Sequence, residues 1–253
     1  MRFEPADVLP DSRIVSPSAE RNKGPIAAVL MELLPERGGV LEVSSGTGQH
    51  IVHFAQSMPH LRWQPTEYDA DNLKSIASWL ERAYLSNVNA PIFLDVHDEV
   101  WPATIAAGDS LTPAGDSLPP AGESLTPAGD SLTPAGDSLA NRSVAGGSVE
   151  VAAVVCLNMI HIAPPSATEA LVRGAANILR SGGILFLYGP FRREGRHTSA
   201  SNEAFDQLLR CRNPDWGVRN LEDVALLATS AGFQLQEIKA MPANNFAVAF
   251  SKQ

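Results

Sequence analysis

The sequence predicts an α/β fold of three layers, with helices on both faces of a seven-stranded sheet. Three observations predict it. Short apolar runs alternate with segments of helical spacing along most of the chain. One junction, residues 39–50, breaks from a strand into a glycine turn and then into a helix. The chain closes with two strands joined by a short loop. At 253 residues and 44% apolar content, one α/β domain with a substantial core is expected over the whole length, 1–253.

The first fifteen residues are polar and punctuated by proline, and are expected to drape over the domain. Ser16-Pro17-Ser18-Ala19-Glu20 marks a helix start, with Pro in the first turn and an acid near the positive end. Ile26, Val29, Leu30, Leu33 and Leu34 follow at helical spacing. Pro25 inside that pattern predicts a break or kink. Arg21-Asn22-Lys23 then lies near the turn, solvent-facing or, for Asn22, in contact with a ligand.

Val40, Leu41 and Val43 form the first core strand, which breaks into Ser44-Ser45-Gly46-Thr47-Gly48 before a helix opens at Gln49. Its buried face is Ile51, Val52, Phe54 and Ala55, and it stops before Pro59. Residues 61–67 read as the second strand, with Pro65 near its end or at an edge. Glu67 closes it, about 20 residues past the glycine turn, where a carboxylate can accept both hydroxyls of a ribose. Asp69 or Asp71 caps the next helix, 72–84. Residues 92–94 make the third strand, ending at Asp95.

From Ala107 a seven-residue unit repeats five times: AGDSLTP, AGDSLPP, AGESLTP, AGDSLTP and AGDSLAN. The period invites a coiled coil, but each unit carries Gly, nearly all carry Pro, and only one Leu recurs. Residues 107–148 are therefore expected to be a disordered or extended insertion interrupting the domain, too poor in apolar area to offset ordering.

Residues 151–158 are almost wholly apolar, as a strand buried on both faces should be, and end in Asn158-Met159-Ile160-His161. Pro164 and Pro165 open a helix that Ser181-Gly182-Gly183 closes. Residues 184–188 are the fifth strand, followed by Gly189-Pro190-Phe191 and a loop holding Arg192, Arg193, Arg196 and His197. Helical patterns at 204–209 and 221–231 lead to strands at 233–240 and 246–250.

Composition narrows the function. A net charge of −9 argues against non-specific nucleic-acid or anionic-membrane binding. Five of those acids, Asp109, Asp116, Glu123, Asp130 and Asp137, sit in the repeats with no Lys or Arg over 107–141, so the rest is only mildly acidic. Two cysteines, Cys156 and Cys211, form neither a disulfide framework nor a metal pair. With no export signal and no run of ~18 apolar residues, a cytoplasmic protein is expected.

The turn selects among nucleotide ligands. A dinucleotide fingerprint requires Gly or Ala three residues after Gly48, where bulky Ile51 stands; a phosphate-binding Gly-Lys-Ser/Thr ending is missing. Glu42-x-Ser44-x-Gly46-x-Gly48 resembles the acidic-x-Gly-x-Gly-x-Gly turn of class I S-adenosylmethionine (SAM) methyltransferases, departing from it at Ser44. That resemblance implies a Rossmann-like seven-stranded methyltransferase sheet with SAM lying over the turn, and it places Asp95 at the adenine amine; an ordinary turn-forming Asp is the alternative. It becomes specific across Ser16-Pro17-Ser18-Ala19-Glu20-Arg21-Asn22, Leu41-Glu42-Val43-Ser44-Ser45-Gly46-Thr47-Gly48-Gln49-His50, Trp63-Gln64-Pro65, Asn158-Met159-Ile160-His161-Ile162, Tyr188-Gly189-Pro190-Phe191, Gly195-Arg196-His197-Thr198, Trp216-Gly217-Val218-Arg219 and Met241-Pro242-Ala243-Asn244-Asn245. Together these resemble the methyltransferase-like protein 26 family, whose substrate is unassigned and whose pattern does not include the repeats.

Candidate cofactor contacts are thus Asn22, Glu42, Ser44, Gly46, Gly48, His50, Glu67, Asp95 and Asn158. Candidate catalytic residues are His161, His197 and Tyr188, at the strand ends where open α/β sheets bind ligands; imidazole titrates near neutral pH, although methyl transfer does not oblige a base. No metal set is read. The Asn-Pro-Pro-Tyr/Phe signature of enzymes that methylate amino groups on bases and glutamines is missing at 158–161, which weakens the case for nucleic-acid amino methylation; a small-molecule acceptor is the expectation. Arg192, Arg193 and Arg196 fit an anionic substrate or a solvated charge cluster. The alternative function is a non-catalytic SAM-binding or interaction module that retains the fold.

Overall fold

A computed structural model of the protein describes residues 6–106 and 150–253. The heptapeptide segment, expected as a disordered or extended insertion, lies outside the described residues. In chain order the elements are β1 (Asp7–Val8), β2 (Ile14–Val15), α1 (Pro17–Leu33), β3 (Gly39–Val43), α2 (Gln49–Ser57), β4 (Arg62–Glu67), α3 (Ala70–Ala83), β5 (Ile92–Phe93) and α4 (Trp101–Ala106). After the repeats come β6 (Val151–Leu157), α5 (Pro165–Ile178), β7 (Ile184–Gly189), α6 (Ala200–Arg212), α7 (Leu221–Ser230), β8 (Phe233–Met241) and β9 (Asn245–Lys252). Short 3-10 turns sit at Met159–His161 and Pro242–Asn244.

Seven strands form one sheet in the order β5-β4-β3-β6-β7-β9-β8, as expected. Strands β5, β4, β3, β6 and β7 run parallel, while β9 is antiparallel to both β7 and β8. Strands β3, β6 and β7 are buried along almost their whole length, which is why they read as largely apolar runs. One face packs against α1, α2 and α3 through Ile26, Leu30, Ile51, Phe54 and Ile76. The other packs against α4, α5 and α7 through Trp101, Leu171, Ala175 and Val224. Each such fully buried large side chain contributes about 1.5–3 kcal/mol. Helix α6 holds a satellite cluster of Phe205, Leu209 and Val218.

Three expectations are corrected. Helix α1 runs unbroken through Pro25, because proline removes only one hydrogen bond while Ile26, Ala27, Val29 and Leu30 beyond it are buried against the sheet. Pro65 lies inside β4, in register with Glu42. Alternate residues of β4 face its two neighbours, and Trp63, two residues earlier, donates its N–H outward to Asn87, so the missing donor at Pro65 falls on the outer side, where β5 pairs only Thr66 and Glu67. Within the N-terminal segment, the described residues 6–15 do drape over the domain, but as a small hairpin of β1 and β2, held on α3 by Ile14 N–H to Ser75 Oγ (2.8 Å) and by Arg13 over the Trp79 ring (4.7 Å). Among the described residues no helix is long and apolar enough to cross a membrane.

Candidate functional site

The strand order reverses at β3, with β4 on one side and β6 on the other. Open α/β sheets leave a crevice outside the strand ends at such a point. Here the chain turns sharply on both sides of it: Ser44 after β3 has φ 58° and Asn158 after β6 has φ 64°. A left-handed serine costs about 1–2 kcal/mol relative to glycine. Gly46 (φ 59°) presents an open face, where a Cβ would have nothing within 4 Å. Gly48 (φ 92°) is different: a Cβ there would lie 2.9 Å from Ile76 Cα. Its glycine is required by packing against α3, and Gly48 is not among the residues that line the cavity at these turns.

Beyond these turns opens a cavity of about 620 Å³, lined by Ser44, Gly46, Glu67 and Asp95 together with Tyr68, Asn72, His97, Met159, Pro164 and Trp216. Glu67 is its most constrained polar group. One carboxylate oxygen accepts the Gly46 N–H at 2.7 Å, and the other accepts the N–H groups of Tyr68 and Asp69 at 2.8 and 3.2 Å. The strand end and the glycine turn therefore aim this carboxylate together. Asp69 caps α3 through the N–H groups of Asp71 and Asn72, as one of the two expected caps. A smaller hollow of about 290 Å³ between α4 and α5 is lined by Asp98, Glu99 and Arg173, with Val96 shared between it and the larger cavity.

Glu42 sits under the turn, fully buried, with neither carboxyl oxygen hydrogen-bonded among the described residues. Burial pushes its pKa up to about 8, and the charge of Glu67 adds to the shift while Ser45 opposes it. An unpartnered buried acid is unfavourable for the fold, and Glu42 itself does not line the cavity.

Asn22 and His50 lie on the α1–α2 side. Asn22 Oδ1 is 2.7 Å from His50 Nε2, and the His50 ring stacks on Phe54. Burial lowers the pKa of His50 to about 4, so the imidazole is neutral and Nε2–H donates to Asn22. Tyr188, at the end of β7, is 1% exposed; its hydroxyl lies toward Asn22 and Asn245 without a hydrogen bond of ordinary geometry. None of the three lines the cavity.

His161 departs furthest from its expected rim position. It is completely buried, edge-on to Phe191, and a Cβ on Gly189 would come 2.2 Å from its Nε2. Nδ1 accepts the Arg219 N–H at 3.2 Å, which leaves the proton on Nε2, and burial drives the pKa down to about 3. It joins segments of the chain and does not line the cavity. Asn158 is half-buried beside it, with its Oδ1 facing Gly189, and does not line the cavity. Arg219 completes the junction by donating to the carbonyls of Ile160 (2.8 Å), Ala163 and Asp215. That staple holds Trp216 in the cavity wall. His197, 19% exposed, has Nε2 3.5 Å from Asp206, which also accepts Arg210 Nε–H (3.0 Å) and the Val218 N–H (2.6 Å).

The structure thus brings Ser44, Gly46, Glu67 and Asp95 to one cavity, with Glu42 beneath. It sets Asn22, His50 and Tyr188 in a neighbouring buried polar group, and Asn158 and His161 in a structural junction. Sequence reasoning missed Tyr68, Asn72, His97 and Trp216 as cavity walls; of these only Trp216 carried a signal, within Trp216-Gly217-Val218-Arg219.

The same fold occurs in an O-methyltransferase family protein from Burkholderia thailandensis (12% identity, 93% of this chain and 57% of that one covered, TM-score 0.64). It occurs also in the mitomycin 7-O-methyltransferase MmcR (12%, 93% and 54%, 0.63) and in human N-acetylserotonin methyltransferase in complex with SAM (12%, 93% and 52%, 0.58). This chain spans a little over half the length of each, and at such identity the likeness is one of fold: the class I methyltransferase fold. Residues 13–117 and 135–252 match the profile of one family, passing over part of the heptapeptide repeats, and the chain belongs to that family, described as a protein of unknown function (DUF938).

Proposed function

We propose that this protein is a SAM-dependent methyltransferase acting on a small-molecule acceptor. The observation that carries the reading is the cavity at the strand reversal, where Glu67 is held by three backbone amides beside an open glycine turn. The residues suit the cofactor: Glu67 offers lone pairs to ribose hydroxyls, Asp95 in the same cavity offers an acceptor to an exocyclic amine, Gly46 leaves room for close approach, and the buried carboxyl of Glu42 has no hydrogen-bond partner among the described residues. When bound, SAM supplies a sulfonium-activated methyl group. The chain's own residues supply position, since in-line transfer depends on holding nucleophile and methyl close and aligned. Of the three candidate bases, His161 and Tyr188 are enclosed, and His197 alone keeps partial exposure.

That enclosure favours a second reading, a cofactor-binding module without turnover. Calorimetric titration with SAM and S-adenosylhomocysteine, beside Glu67→Ala, decides the cofactor; an acceptor screen with labelled methyl groups then separates enzyme from module. Micromolar binding abolished by Glu67→Ala is expected. Absence of binding to either ligand refutes both readings. We further infer membership in the methyltransferase-like protein 26 family, supported by the convergence of residues 158–162, 188–191 and 216–219 around His161. A single domain interrupted by the repeats and a cytoplasmic location complete the proposal.

A further inference from the structure

We propose that His97 is a positioning residue for the carboxylate of Asp95, fixing its orientation by bridging it to Ser166 across the mouth of the cavity. This rests on the adenosine reading of that cavity. Asp95 Oδ1 receives both the backbone N–H of His97 (2.9 Å) and its ring Nδ1 (3.1 Å). A carboxylate only accepts, so Nδ1 carries a proton; in the neutral ring Nε2 then accepts the hydroxyl of Ser166 at 3.1 Å. A relay runs from Ser166 through His97 to Asp95, from the first turn of α5 to the second residue after β5. Asp95 and His97 both line the cavity, and Pro164 and Ala167 on either side of Ser166 line its other wall.

The relay matters because Asp95 stands on a loop, its side chain 37% exposed. Unrestrained, it would lose rotamer freedom on binding a ligand; held by Oδ1, it is already oriented, and Oδ2 has no hydrogen-bond partner among the described residues. An oriented acceptor favours a base bearing an exocyclic amine and opposes one bearing a carbonyl at the same position. Both side chains touch solvent, so the effect is moderate.

The test measures the ratio of affinities for S-adenosylhomocysteine and S-inosylhomocysteine, by calorimetry on the full chain. The unaltered protein is expected to favour the adenine compound by about tenfold, one charge-assisted hydrogen bond. His97→Leu is expected to reduce that ratio to about two by weakening only the adenine compound, and His97→Asn, whose amide N–H reaches the same oxygen, to restore it. Ser166→Ala falls between. Unchanged discrimination in His97→Leu, or equal weakening of both compounds, overturns the proposal. If the unaltered protein binds neither compound, the adenosine reading itself fails.

Discussion

Glu42→Gln tests the site through stability, independently of any ligand. The carboxyl is fully buried without a hydrogen-bond partner, and its folded pKa is raised from 4.5 to about 8. The unfolded chain releases this proton near pH 4.5, while the folded protein keeps it until near pH 8. Stability contributed below pH 4.5 is therefore lost as pH rises through that window, by about 1.4 kcal/mol per pH unit. At pH 7 the deficit is about 3 kcal/mol, a large part of the stability of an ordinary domain. Glutamine does not titrate and keeps the shape, so the variant should be more stable than the parent at pH 7, with the advantage shrinking toward pH 5. Urea unfolding of both proteins at pH 5, 6, 7 and 8 measures the difference, and taking the difference cancels every other titrating group. Parallel curves, or a variant less stable at pH 8, would refute the reasoning: Glu42 would then be ionised and paired. The same substitution should weaken SAM binding, a trade between stability and function.

Other perturbations follow from the same geometry. Arg219→Ala should destabilise the protein by about 2–3 kcal/mol, because three carbonyls lose a charged donor, and it should also weaken ligand binding as Trp216 loses its anchor; chemical denaturation and calorimetry check the two effects. In Gly174→Ala the new Cβ would lie 1.9 Å from Trp101 Cζ2, so a loss of about 1–3 kcal/mol from overpacking between α4 and α5 is expected in a melting experiment, with ligand affinity retained. Deleting residues 107–141 should leave the melting temperature and S-adenosylhomocysteine affinity unchanged if the repeats are an insertion in a single domain; a large fall in either would assign them a part in the fold.

What the sequence determined by itself is what depends on neighbours along the chain. Apolar runs gave β3, β6 and β7, helical spacing and a proline start gave α5, and Asp69 stood where a cap belongs. Glu67 was legible because a strand end and a glycine turn have a fixed separation in this kind of fold, and the structure joins them by the Gly46 N–H. Ser44, Gly46 and Asp95 reached the cavity for the same reason. Tertiary structure decided the rest. A histidine after a strand reads the same whether it faces a cleft or a junction, and His161 became a junction because Arg219, 58 positions later, folds back onto it. His97 meets Ser166 across 69 positions, and Gly48 is glycine because α3 crosses it. Pro25 argues locally for a break, yet the sheet beneath α1 outweighs one lost hydrogen bond. Strand ends and turns are set by local backbone preference; which side chains open to a ligand is set by what packs over them, and that information lies in distant parts of the chain.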